Sequence, residues 1–177
     1  MRAVCRGCMN RCSLEEGQTG MCRARKNTGG AVTPVNYGKI TSMALGPIEK
    51  KPLRRFLPGS VILAVGSFGC NLRCPFCQNH KISMAGEGDF ESVTVSPEEL
   101  AQKAAELGKN GNIGVAYTYN EPLVGWAYDS DTERIVRKEG MKNEIVTNGS
   151  VSGQELDEIL PVADAMNIDI KGITEKS

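Results

Sequence analysis

Three cysteines, Cys70, Cys74 and Cys77, stand at the spacing Cys-x3-Cys-x2-Cys, so one short loop can present three thiolates to a single metal centre. Three is the informative number. A [4Fe-4S] cluster needs four ligands, so three cysteines leave one iron open to a substrate or cofactor, whereas an electron-transfer ferredoxin fills every position. Gly69, Asn71 and Pro75 suit a loop wrapped around a cluster. The competing assignment is a zinc site completed by His80 or by a cysteine nearer the N-terminus. Cys5, Cys8, Cys12 and Cys22 follow the spacing Cys-x2-Cys-x3-Cys-x9-Cys. Four soft donors on a short irregular segment fit tetrahedral zinc, with a second Fe-S cluster as the alternative, since both metals want thiolates. An odd count of seven cysteines and their tight grouping argue against a disulfide framework and for metal ligation in a reducing cytosol.

The elements that must position these groups are legible after residue 60. Residues 61–65 form a short continuous apolar run, the pattern of a strand buried on both faces, and 66–80 form the loop after it. Ser96-Pro97-Glu98-Glu99 opens a helix: Ser96 caps, Pro97 suits the first turn, Glu99 completes a capping box, and Leu100, Ala104 and Leu107 share a face. Residues 113–119 predict a second strand, followed by a helix ending near Gly140. Residues 144–147 predict a third strand, Ser152 to Glu155 a second capping box, and 163–170 a fourth strand. Strands alternating with helices imply a parallel sheet, either doubly wound or curled as in a (β/α) barrel.

Ahead of this, residues 1–30 lack helical or strand periodicity and end in the turn-rich Asn27-Thr28-Gly29-Gly30. Prolines at 47, 52 and 58 forbid a continuous helix over 46–60 and predict an extended connector. The expected organisation is therefore a Cys-rich metal-binding segment with its connector over 1–59 and an α/β core over 60–177. Lys50-Lys51 and Arg54-Arg55 read as a solvated face. His80 reads as a hydrogen-bonded loop residue, and Trp126 and Tyr128 as helix packing.

The polar residues after the predicted strands are not scattered. The three cysteines follow the first, Asn120 and Glu121 the second, Thr147, Asn148 and Gly149 end the third, and Asp169 and Lys171 end the fourth. In a parallel sheet all four groups reach the same carboxyl edge, where α/β enzymes place their active sites. Residues 1–60 hold 11 Lys/Arg against 3 Asp/Glu and residues 61–177 hold 10 against 18, giving +8 and −8. Zinc on four thiolates would lower the front charge to about +6. The alternative of another class is a zinc-knuckle module whose basic front meets nucleic acid. No apolar stretch approaches the roughly 20 residues of a membrane span and no apolar signal core is present, which predicts a cytoplasmic protein.

Residues 70–79, CNLRCPFCQN, resemble the motif of radical S-adenosylmethionine (SAM) enzymes, with an aromatic between the second and third cysteines. Together with PIEKKPL (47–53), FLPGS (56–60), YTYNEP (117–122), VTNG (146–149) and NIDIK (167–171), the chain resembles the radical SAM member of the AmmeMemoRadiSam system. That family is related to pyruvate formate-lyase activating enzymes.

The resemblance implies a partial (β/α) barrel of about four βα units, a [4Fe-4S] cluster on Cys70, Cys74 and Cys77, and SAM chelating the open iron. An electron, from a donor such as a ferredoxin or flavodoxin, cleaves the sulfonium bond and yields a 5′-deoxyadenosyl radical that abstracts hydrogen. It puts Phe76 near the adenine, Asn120 and Glu121 at the SAM ammonium, Thr147 and Asn148 on the ribose side, and Asp169 with Lys171 near the methionyl carboxylate. The substrate is unidentified; a glycyl-radical-enzyme activase, with a protein substrate, shares the chemistry. Such cores usually have six βα units, so the expectation is the first part of a longer enzyme, inactive alone.

Overall fold

The apolar run beginning at Val61 lies inside a five-stranded sheet in the computed structural model, which describes residues 1–151 and 153–172. In chain order the strands are β1 (Ala3–Val4), β2 (Ser13–Leu14), β3 (Arg25–Thr28), β4 (Ala31–Pro34), β5 (Lys39–Ile40), β6 (Ser42–Pro47), β7 (Val61–Gly66), β8 (Val93–Thr94), β9 (Asn112–Tyr117), β10 (Lys142–Thr147) and β11 (Ala165–Ile168). The helices are α1 (His80–Ser83), α2 (Pro97–Glu106), α3 (Trp126–Lys138) and α4 (Gly153–Ile159).

The sheet order is β6-β7-β9-β10-β11. β7, β9, β10 and β11 are parallel, and β6 is antiparallel to β7. Each new parallel strand is added on the same side of the one before it. A doubly wound sheet reverses direction at a switch point, so the winding here is that of a barrel. The sheet stays open among the described residues. Right-handed crossovers then put the helices on one face, where α2 packs on α3 and α3 on α4.

Leu63, Val65, Val115, Tyr117 and Ile145 face those helices and meet Leu100, Ala104 and Val136. Each such fully buried aliphatic side chain contributes about 1.5–3 kcal/mol relative to exposure. The capping box forms: Ser96 Oγ accepts from the Glu99 N–H at 3.1 Å, and Glu99 Oε2 accepts from the Ser96 N–H at 2.7 Å. The second predicted box cannot be described, because Ser152 lies outside the described residues. No helix among the described residues is long and apolar enough to cross a membrane.

The opposite face of the sheet carries Ile62 and Ala116, covered by Ile48 with Leu53 and Phe56 packed alongside. The proline-rich segment is thus folded across the sheet and not merely extended. Its lead-in, β6, pairs with the whole of β7, from Ser42 opposite Gly66 to Pro47 opposite Val61, so strand pairing crosses the expected boundary at residue 59. Lys51 departs from the solvated reading: it is only 7% exposed, because its segment lies against the sheet. In the front 35 residues β1 pairs with β2 and β3 with β4. Strands of two to four residues are too short to leave a period in the sequence.

Candidate active site

The loop from β7 to α1 depends on Gly69. Its φ is +89° and a Cβ there would come within 2.6 Å of the Cys22 carbonyl oxygen, so a side chain is excluded on both counts. That close approach lets the Cys70 N–H donate to the Cys22 carbonyl at 3.2 Å. The loop then tightens: Cys77 N–H donates to the Cys74 carbonyl at 3.1 Å, and Cys70 Sγ accepts from the Leu72 N–H at 3.4 Å. Cys77 Sγ lies 3.3 Å from Ser83 Oγ on α1.

Cys70, Cys74 and Cys77 share one cavity of about 340 Å³ with Phe76, Asn120, Glu121, Thr147, Asn148, Asp169 and Lys171. The residues expected at the carboxyl edge of the strands, Gly149 excepted, therefore reach one space, a volume within the range of small-molecule sites. His80 is exposed at the start of α1 and does not line it. Tyr128 is buried and packs edge-to-face on Tyr37, ring centroids 5.3 Å apart, and Trp126 packs against the helix-side core.

Glu121 is buried and its oxygens are already engaged. Oε1 accepts from Thr147 Oγ1 at 2.6 Å and from the Leu123 N–H at 3.2 Å, and Oε2 from the Asn148 N–H at 2.7 Å. Burial pushes its carboxyl above the usual range, against the pull of those donors. Glu121 thus ties the segment after β9 to the end of β10 and sets a carboxyl group in the cavity wall. Lys171 Nζ donates to Asp169 Oδ2 at 2.8 Å, a bond that raises its pKa, and the Asp169 N–H donates to the Thr147 carbonyl at 2.8 Å.

Asn71, Asn148 and Ser150 form a bridge that motif reading noticed only in part. Asn148 Nδ2 donates to Asn71 Oδ1 at 2.9 Å, and Asn71 Nδ2 donates to Ser150 Oγ at 2.8 Å. Asn71 is almost wholly buried. The contacts run between residues 77 and 79 apart in sequence, so no local spacing announces them. Ser83, six residues beyond Cys77, escapes sequence reading for a different reason: helix α1 is one turn long and carries no amphipathic signal.

Cys5, Cys8, Cys12 and Cys22 line a second, small cavity together with Arg25, Leu123 and Val124. The Cys5 N–H donates to the Cys12 carbonyl at 2.8 Å, and Cys12 Sγ accepts from the Met21 N–H at 3.5 Å. This segment is docked on the core: Asn10 Nδ2 donates to the Asn71 carbonyl at 3.0 Å and Arg25 Nη1 to the Val124 carbonyl at 3.3 Å.

Among the described residues, no three His, Cys, Asp or Glu side chains converge closely enough to hold a metal ion. The fit to a cluster lies in the donor set: three thiols on one loop, all facing one cavity with no fourth cysteine lining it. Burial pushes the Cys70 thiol up to about 11, so its thiolate form calls for a cation at the sulfur.

Comparison with known proteins agrees with this arrangement. Residues 65–176 match the profile of the Radical SAM superfamily. An uncharacterized protein of Methanocaldococcus jannaschii is 41% identical over 168 residues, which covers 95% of this chain and 49% of that protein. The chain thus spans about half the length of the curated relative it matches. A match running from β7 through the last described strand, over the same loops that line the cysteine cavity, shows that this chain belongs to the radical SAM superfamily.

Proposed function

We propose that Cys70, Cys74 and Cys77 hold a [4Fe-4S] cluster and that SAM binds across the same cavity, as part of an enzyme abstracting hydrogen from its substrate. Superfamily membership implies that cluster and SAM as cofactors. The observation that carries the residue assignment is the cavity itself, where the three cysteines meet residues from the ends of β9, β10 and β11. When bound, the cluster supplies an electron that cleaves SAM into methionine and a 5′-deoxyadenosyl radical.

In this reading the chain's own residues orient the cofactor. Glu121, held by Thr147 and Asn148, offers negative charge to the SAM ammonium. Lys171, with Asp169 beside it, faces the methionyl carboxylate. Thr147 and Asn148 sit toward the ribose, and the exposed ring of Phe76 offers a stacking surface for adenine. An external electron donor such as a ferredoxin or flavodoxin completes the cycle.

The motifs over 47–60 and 117–171 favour the AmmeMemoRadiSam type within the superfamily, acting on a substrate still to be identified. A glycyl-radical activase would differ in needing a protein partner, and dependence of SAM cleavage on such a partner separates the two. The four front cysteines are assigned to one zinc ion, supported by their common cavity against Leu123 and Val124. Anaerobic reconstitution, followed by measurement of iron content and 5′-deoxyadenosine formation, tests the assignment of cluster and cofactor.

A further inference from the structure

Lys51 sits on the sheet face away from the helices. Its Nζ lies 4.9 Å from the centroid of the Tyr119 ring, and its carbonyl accepts from Asn167 Nδ2 on β11 at 3.1 Å. The charge opposite it is Glu144. Asn143 Nδ2 donates to the Glu133 carbonyl on α3 and Ile145 lies in the helix-side core, so strand alternation turns Glu144, between them, to the Lys51 face. Glu144 is fully buried, and among the described residues neither of its carboxylate oxygens has a hydrogen-bond partner. Lys51 pulls the Glu144 carboxyl down, but burial dominates and pushes it up to about 7. A buried ammonium and a buried carboxylate without a direct bond cost stability, and such groups concentrate where function requires them.

What they serve is Tyr119. Its φ is +73°, a region that a bulky side chain rarely adopts, and it lines the cysteine cavity immediately before Asn120 and Glu121. Gly66 makes room on the other side: a Cβ there would stand 2.8 Å from Tyr119 Cδ2 and 2.9 Å from its Cβ. Outliers of this kind persist only where the surroundings over-determine them, and here the backbone of Gly66 and the ammonium of Lys51 do so.

We infer that Lys51 is a positioning residue of the reaction: its ammonium, with Glu144 as counter-charge, holds the Tyr119 ring in the wall of the cofactor cavity and thereby sets the Asn120-Glu121 turn. The inference rests on the reading that this cavity binds SAM.

The test is SAM affinity and iron content of the anaerobically reconstituted protein, compared across variants. Lys51→Met weakens SAM binding about tenfold with iron content unchanged, whereas Lys51→Arg, which restores the cation, stays within about twofold. Tyr119→Phe keeps the ring and stays within about twofold, while Tyr119→Leu matches Lys51→Met. The double variant Lys51→Met/Tyr119→Leu is no weaker than either single one, because both remove the same contact. Wild-type affinity in Lys51→Met, or effects that multiply in the double variant, overturns the inference. Should Lys51→Met fail to fold, Lys51→Gln takes its place: wild-type affinity there overturns the inference, and a loss matching that of Tyr119→Leu upholds it. A wild-type protein that takes up iron but binds no SAM overturns the proposed function and this inference with it, a result distinct from indifferent variants of a protein that binds.

Discussion

The Cys22 carbonyl accepts a hydrogen bond from the Cys70 N–H at 3.2 Å, so the last cysteine of the front group and the first of the loop group share a backbone contact. Gly69 makes that contact possible. Gly69→Ala places a methyl group 2.6 Å from the Cys22 oxygen and forces a left-handed backbone on a residue with a Cβ. The expected cost is roughly 1–3 kcal/mol of stability, accompanied by reduced iron uptake. Thermal unfolding and iron analysis of the variant check both; normal values of each would show that the loop tolerates separation from the front segment.

Glu121 and Lys171 differ in a way that separates cofactor contact from architecture. Glu121→Ala removes the acceptor for Thr147, Asn148 and Leu123, so it lowers both SAM affinity and folding stability, the latter by roughly 1–3 kcal/mol. Lys171 bonds only to Asp169 among the described residues. Lys171→Ala therefore weakens SAM binding, by about tenfold for one charge-assisted contact, with little change in stability. Calorimetry with SAM and urea unfolding measure the two effects independently; equal stability losses in both variants contradict this division.

Folding stability carries a pH signature from Glu133. This carboxyl on α3 is fully buried, and burial, followed by the neighbouring Asp129, pushes it up from an ordinary 4.5 to about 9. Between those values the unfolded chain has lost a proton that the folded chain keeps, so stability falls as pH rises through the window. The urea midpoint is expected to be lower at about pH 8.5 than at about pH 5.5, and Glu133→Gln to flatten that slope and raise the alkaline midpoint. A variant with the wild-type slope would assign the pH dependence elsewhere.

Zinc at the front cysteines predicts one zinc per chain by elemental analysis, lost when Cys8 or Cys12 is replaced by Ala while the loop cluster remains. Comparable small sites contribute about 10–16 kcal/mol of folding free energy, so chelation is expected to unfold the front segment. Eight irons and no zinc in a protein with both cysteine groups intact would make the front site a second cluster.

Much of this site is legible in the sequence because its residues sit at strand ends, and strands such as Val61–Gly66 and Asn112–Tyr117 announce themselves as apolar runs. Parallel topology then gathers their ends at one edge without further information. What the sequence hides is long-range pairing. β6 offers only Met43, Ala44 and Leu45 as an apolar run and ends on Gly46-Pro47, so its pairing with β7 is invisible until β7 is in place. Lys51 carries the chemistry of a surface residue, and only the fold of its segment across Ile62 and Ala116 buries it. The Asn71–Asn148–Ser150 bridge joins two loops that no spacing connects.

The most direct measurement of the central claim is iron stoichiometry with 5′-deoxyadenosine formation in the anaerobically reconstituted protein and its Cys70→Ala, Cys74→Ala and Cys77→Ala variants. Three thiolates from one loop predict about four irons bound there and SAM cleavage in the wild type, with both lost in each single variant. Retention of the full four-iron signal in all three variants would contradict the account.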